Sequence, residues 1–341
     1  MNYSEILVKA REIMSPRCRV CPVCDGRACR GEVPGVGGKG TGASFTHNVD
    51  WLAGVKIVLD TIYADRWQDT SCQFFGRTFD MPVFAAPIGG MKMNYNSSVT
   101  EGEQAERVLR GAKAAGSAAF TGDSPVDAAF LEPLAEIKKL GGHGVPTLKP
   151  WVLDRAVMKI NQAKEAGAMA LSMDIDAAGL VNMKANGCPV YAKGVMELAE
   201  LVKAAAPLPF IPKGVMSARG ALKAAEAGVY GIVVSNHGGR VLDSTQATCE
   251  VLPEIRAAVG GRVKIFVDGG IRSGGDVFKA LALGADAVLI GRPVVAAAFG
   301  GGAEGVELYL RKIAAELSET MIMTGAARLS DISRDMIRLP E

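Results

Sequence analysis

Tyr230-Gly-Ile-Val-Val234 runs directly into Ser235-Asn-His-Gly-Gly-Arg240. A short β-branched run ending in a glycine-bearing polar cluster is how a parallel strand, apolar on both faces, delivers reactive side chains to a site at its C-terminal end. His237 and Arg240 therefore emerge together. An imidazole exchanges a proton near neutral pH, and a guanidinium three residues on offers a planar fork to a carboxylate. A single histidine after a strand is more often a structural hydrogen-bonding residue than a catalyst, so the flanking segments must decide.

Two later strand ends favour chemistry. Val263-Lys-Ile-Phe-Val267 leads into Asp268-Gly-Gly-Ile-Arg-Ser-Gly-Gly-Asp276, and Ala285-Asp-Ala-Val-Leu-Ile290 leads into Gly291-Arg-Pro293. Glycines that let a backbone approach closely, a basic side chain and the free N–H groups of a helix start make an anion cradle. Successive strand ends bearing Gly and Arg are where a (β/α)8 barrel holds a phosphate, after strands seven and eight.

Working outward, short apolar runs at 82–86, 117–120, 145–148, 169–173 and 210–212 complete a set of eight strands. Alanine-rich stretches with helical spacing at 103–115, 156–166, 194–206 and 218–227 lie between them, several closing on a capping glycine. Repeated βα units of this kind close a barrel. The expected fold is α/β: a (β/α)8 TIM barrel over 76–341, preceded by an N-terminal Cys- and Gly-rich extension over 1–75.

The 341 residues, 49% hydrophobic, suffice for one large core, and a net charge of +2 gives no broad electrostatic argument for nucleic acid or an anionic membrane. No apolar run approaches the ~20 residues of a membrane helix. Met1-Asn-Tyr-Ser-Glu-Ile-Leu-Val-Lys-Ala lacks the basic-then-apolar order of a secretion signal, so the expected location is the cytoplasm.

The extension carries Cys18, Cys21, Cys24 and Cys29, four of the seven cysteines within twelve residues. That spacing suits zinc or an iron–sulfur cluster, and also redox-active or structural thiols. It departs from the ferredoxin run in having four residues before the last cysteine. Six glycines between 31 and 42 suit a flexible flap over the barrel mouth, or a linker.

Taken together, Ser235-Asn-His-Gly-Gly-Arg240, Val267-Asp-Gly-Gly-Ile-Arg272, the 276–285 helix, Ile290-Gly-Arg-Pro293, Met81-Pro-Val-Phe-Ala-Ala-Pro87 and Glu101-Gly-Glu103 resemble the FMN-dependent α-hydroxy acid oxidases and dehydrogenases. That family includes glycolate oxidase, lactate oxidase and flavocytochrome b2. The resemblance spans about residues 75 to 338 and implies oxidation of a small 2-hydroxy acid to a 2-oxo acid. It makes His237 the base, Asp174 its partner and Arg240 the carboxylate anchor. By the same resemblance Lys213 would stand beside the flavin N1 and C2 carbonyl, Asp268, Gly270, Arg272, Gly291 and Arg292 would hold the ribityl phosphate end, and Ala86, Ser172 and Ser235 would line the isoalloxazine. A homo-oligomer is also implied, whereas oxygen, a quinone and a protein all remain open as electron acceptor.

Departures from the family pattern concentrate after strand three, in Leu148-Lys-Pro-Trp151. Trp151 stands near the position of a substrate-facing tyrosine, and Lys149 where a flavin-contacting glutamine is expected. The segment 175–191 is short for the family's loop and holds no arginine. Two other classes stay open: a barrel flavoenzyme of another reaction type, resembling isopentenyl diphosphate isomerase, and a flavin-binding redox sensor built on the N-terminal cysteines.

Overall fold

A computed structural model describes residues 2–64, 66–95 and 97–340. Eight parallel strands form one sheet: β1 (Val83–Ala85), β2 (Phe120–Thr121), β3 (Val145–Leu148), β4 (Leu171–Asp174), β5 (Phe210–Val215), β6 (Gly231–Val234), β7 (Lys264–Asp268) and β8 (Ala287–Ile290). Each pairs with its sequence neighbour, β8 returns to β1, and a parallel bridge between Ala85 and Ala119 joins β1 to the segment entering β2. The expected (β/α)8 barrel is thus the observed one. Strands β3, β4, β6 and β8 are buried along their whole length, as strands sandwiched between a packed lumen and a helical shell must be.

Two apolar layers follow from the pleat. Inward-facing Phe84, Phe120, Ile211, Val233, Phe266 and Leu289 fill the lumen, while outward residues pack on the helices. A hairpin, Cys72–Phe74 with Arg77–Phe79, closes the N-terminal end of the barrel. Its Phe74 and Phe79 meet Phe84 edge-on at 5.7 and 5.0 Å between ring centroids, an arrangement that favours aromatic quadrupoles.

The extension packs on the barrel rather than standing apart. Helix α1 (Tyr3–Met14) begins at a capping box on Asn2 and lies against the long C-terminal helical segment Arg292–Ile322, which is broken at Gly302. Helix α2 (Ala43–Gly54) reaches the mouth, where the Asn48 and Asn236 side-chain amides donate to each other's oxygens at 2.8 and 3.0 Å. The glycine stretch between them is tied down: Lys39 N donates to Gly239 O at 2.8 Å, and Thr41 N to Asp243 Oδ2 at 2.6 Å. It therefore covers the barrel mouth as a hydrogen-bonded segment, neither a loose flap nor a linker. Among the described residues no helix is long and apolar enough to cross a membrane.

Candidate active site

Strand ends β3 to β7 deliver a buried charge cluster. The Asp174 carboxylate ends β4 and accepts from Lys149 Nζ at 2.6 Å, and Lys213 Nζ lies 3.2 Å from its other oxygen. Lys213 also lies 3.4 Å from Asp268 Oδ2 and donates to Ser235 Oγ at 3.1 Å. Burial alone would raise the Asp174 carboxyl, but the Lys149 and Lys213 ammoniums, and then His237, outweigh it and hold Asp174 well below the usual carboxylate range. The same balance acts on Lys213, whose burial opposes its charge while Asp268, Asp174 and Asp176 push its pKa above the ordinary lysine value. A register irregularity in β5 between Lys213 and Val215 shapes this corner, with Gly214 at φ +111°. A Cβ on Gly214 would come within 2.6 Å of the Asp176 side chain.

His237 sits in a left-handed turn at φ +57°, a strained conformation for a residue with a side chain. Its N–H donates to Ser235 Oγ at 3.0 Å, which fixes the turn. Its Nδ1 lies 2.9 Å from Asp176 Oδ1 and 4.0 Å from Asp174 Oδ1. Asp176, not Asp174, is therefore the hydrogen-bonding partner of the imidazole. Asp174 is engaged by two lysines, and the 3₁₀ turn Ile175–Gly179 brings the next carboxylate, Asp176, to the ring. An ionised carboxylate only accepts, so this contact favours the ring tautomer with its proton on Nδ1, which in the neutral imidazole leaves the Nε2 lone pair free.

One cavity gathers His237, Lys149, Lys213, Arg240, Asp268, Gly270, Arg272, Gly291, Arg292 and Ala86. Gly270 permits the close approach there: at φ +86°, a Cβ would lie 2.3 Å from Asn48 O. Arg292 stacks 3.8 Å over Phe45 and donates to Val36 O, Gly37 O and Gly238 O, while Arg272 donates twice to Cys24 O. Arg240 donates to Gly35 O, Gly37 O and Asn94 Oδ1, three acceptors for a group with five N–H donors. Ser172 and Ser235 are fully buried without lining this cavity.

Trp151 does not reach the cavity. It is fully buried, its Nε1 donates to Asp123 Oδ2 at 2.7 Å, and Arg155 stacks 3.8 Å over its ring. Its assignment to substrate is corrected for that reason: the indole is buried behind Asp123, which itself lines the cavity, and beside Lys159. Asp123, which also accepts from Lys149 N at 3.0 Å, was not singled out from the sequence. The polar strand end Thr121-Gly-Asp-Ser-Pro125 was its available signal, and Asp174-Ile-Asp176 was the signal for Asp176. Tyr95, Asn94 and Asn182 also line the site, and Tyr95 is the only tyrosine to do so among the described residues. No pattern in the sequence marked those three. The four N-terminal cysteines lie outside this cavity.

Fold and site define a (β/α)8 barrel whose mouth joins a phosphate-type cradle to a carboxylate-held imidazole. The sequence matches the model of the FMN-dependent dehydrogenase family over residues 36–188 and 192–339, and the chain belongs to that family. It is 33% identical to a 4-hydroxymandelate oxidase of Amycolatopsis orientalis over 88% of this chain and 92% of that protein. An L-lactate oxidase of Lactobacillus jensenii is 34% identical, over 79% of this chain and 71% of its own. Among solved structures, mandelate oxidase with 3,3-difluoro-2-hydroxy-3-phenylpropionic acid aligns at a TM-score of 0.81 and 29% identity, covering 100% of this chain and 99% of that one.

FMN fits the residues present. The cradle at β7 and β8 presents Gly270, Gly291, Arg272 and Arg292 to one cavity. Asp268 Oδ1, buried without a hydrogen-bond partner, is an acceptor suited to a ribityl hydroxyl.

Proposed function

We infer that the protein oxidises a small 2-hydroxy acid to the 2-oxo acid, with His237 as the base and Arg240 as the carboxylate anchor. The observation that carries this is the pairing of His237 Nδ1 with Asp176 at 2.9 Å, in the cavity that also holds Arg240. When bound, FMN supplies the two-electron acceptor for the carbon that bears the hydroxyl.

The chain's own residues supply the rest. Arg240 offers its remaining donors to the substrate carboxylate and so places the adjacent carbon before the imidazole. His237 Nε2 takes the proton released in the oxidation, and Asp176 stabilises the imidazolium that forms and fixes its orientation. Lys213, locked by Asp174, Asp268 and Ser235, holds a positive charge at the barrel mouth without needing to reorganise. Lys149, spent on Asp174, contributes through that carboxylate. Arg272 and Arg292 would hold the phosphate end of the cofactor. Tyr95, beside Arg240 and Arg292, is the phenol available to the substrate, in place of Trp151.

Anaerobic mixing of the yellow holoprotein with a panel of 2-hydroxy acids, alongside the corresponding alcohols without a carboxylate, tests this reading. Bleaching of the flavin by acids alone is expected. Equal bleaching by the alcohols would remove Arg240 from substrate selection, and no bleaching by any 2-hydroxy acid would remove the proposed reaction.

A further inference from the structure

The four cysteines of the extension surround a second cavity. Cys18, Cys21, Cys24 and Cys29 all line a partly open space of about 230 Å³ between α1, the 18–29 loop and the start of the Arg292–Ile322 segment. By the same measure a single buried water needs only ~15 Å³. The loop is built to hold this shape. Arg11 donates to Arg19 O at 3.1 Å and to Val20 O at 2.8 Å, and Arg272 donates to Cys24 O at 2.9 and 2.6 Å. Val20 at φ +42° and Gly26 at φ +85° turn the chain so that cysteines on both sides face one space. Arg27 bonds to Asp25 and to Asp50, which pins the end of the loop to α2.

Separation of the sulfurs decides what this space suits. Four thiolates around one zinc, at Zn–S ~2.3 Å, would stand about 3.8 Å from one another. Among the described residues, the one trio of His, Cys, Asp or Glu ligand atoms within 4.8 Å of each other is Asp174, Asp176 and His237. The cysteine sulfurs therefore do not converge on one ion; they ring a cavity. A polynuclear core keeps its thiolates further apart than a single zinc does, and the space that the four cysteines line has room for one. Four thiolates also bring negative charge, and the guanidiniums of Arg272 and Arg292 line the same cavity to oppose it.

We propose that Cys18, Cys21, Cys24 and Cys29 ligate an iron–sulfur cluster in this cavity; four cysteines serve a [2Fe–2S] or a [4Fe–4S] core, and the room available favours [4Fe–4S]. Val36, Tyr95, Arg272 and Arg292 line both this cavity and the one that holds the proposed active site, so the cluster sits behind the wall that carries the phosphate-binding arginines. The assignment stands on the cysteine geometry and does not depend on the substrate reading.

The test uses the full-length holoprotein, produced with added iron and purified without oxygen, or reconstituted with ferrous iron and sulfide. About four iron and four acid-labile sulfide per chain are expected, with a paramagnetic signal after dithionite reduction. Cys18→Ser, Cys21→Ser, Cys24→Ser and Cys29→Ser should each lower iron and sulfide several-fold, with FMN content and circular dichroism retained, while Cys188→Ser leaves both unchanged. Should a serine variant fail to fold, alkylation of the wild type decides instead: the four thiols should be protected in the cluster-bound protein and modified after chelation. One zinc per chain in place of iron would overturn the proposal. So would iron content indifferent to all four substitutions, or four freely alkylated thiols after reconstitution.

Discussion

At the scale of single residues, the site separates two carboxylates that stand one residue apart in sequence. Asp176 holds the imidazole, and Asp174 neutralises two buried ammoniums. Asp176→Asn should retain flavin but lower kcat by about 10²-fold or more, since it removes the charge that stabilises the imidazolium. An unchanged kcat would show that the 2.9 Å contact has no part in turnover. Asp174→Asn should instead destabilise the fold by about 3–5 kcal/mol at neutral pH, because it strands the Lys149 ammonium in a buried site and leaves Lys213 with Asp268 as its remaining close carboxylate. The folded Asp174 carboxyl titrates below its unfolded value of about 3.9, so its contribution is complete above that pH and is lost as pH falls through the folded value. Urea unfolding of the wild type and Asp174→Asn should thus show a gap that narrows only below about pH 4; a gap independent of pH in the acid range would contradict the ion-pair assignment.

Elements explain which of these roles could be read from sequence. His237, Arg240, Arg272 and Arg292 each follow a strand or open a helix, and Lys213 lies near the C-terminal end of β5, so local apolar patterning places them at the barrel mouth without knowledge of side-chain direction. Asp176, Asp123 and Tyr95 depend on a 3₁₀ turn, a lysine arriving from a helix and a short helix at Met91–Tyr95, none of which a strand-end pattern fixes. Trp151 was misplaced for a related reason: its sequence position is near that of a site residue, yet its indole turns to Asp123. The bulge in β5 carries an element-scale prediction. Gly214→Ala would press a methyl group into the Asp176 side chain at a φ of +111°, so it should lower kcat more than it lowers flavin content. Steady-state kinetics on flavin-matched protein measures this, and wild-type turnover would show that the bulge tolerates a side chain.

The whole molecule joins the extension to the chemistry. Carbonyls of Cys24, Gly35, Val36 and Gly37 receive the arginines of the mouth, and Asn48 of α2 braces Asn236 beside His237. Removing residues 1–42 should therefore lower the melting temperature and the flavin content together, as a single cooperative transition. A truncated protein with the wild-type melting temperature and full FMN content would show the extension to be dispensable to the barrel. The eightfold βα repeat made the barrel legible from sequence, whereas docking of the extension rests in large part on backbone carbonyls that receive arginines of the mouth, which no residue pattern announces.

The central claim is that His237, held by Asp176, accepts the proton in 2-hydroxy acid oxidation. Rapid anaerobic mixing of a bleaching 2-hydroxy acid with wild type and His237→Ala, matched for FMN content, tests it most directly. The account predicts that flavin reduction in the variant is slower by about 10²- to 10⁴-fold. Reduction of His237→Ala at the wild-type rate would contradict it.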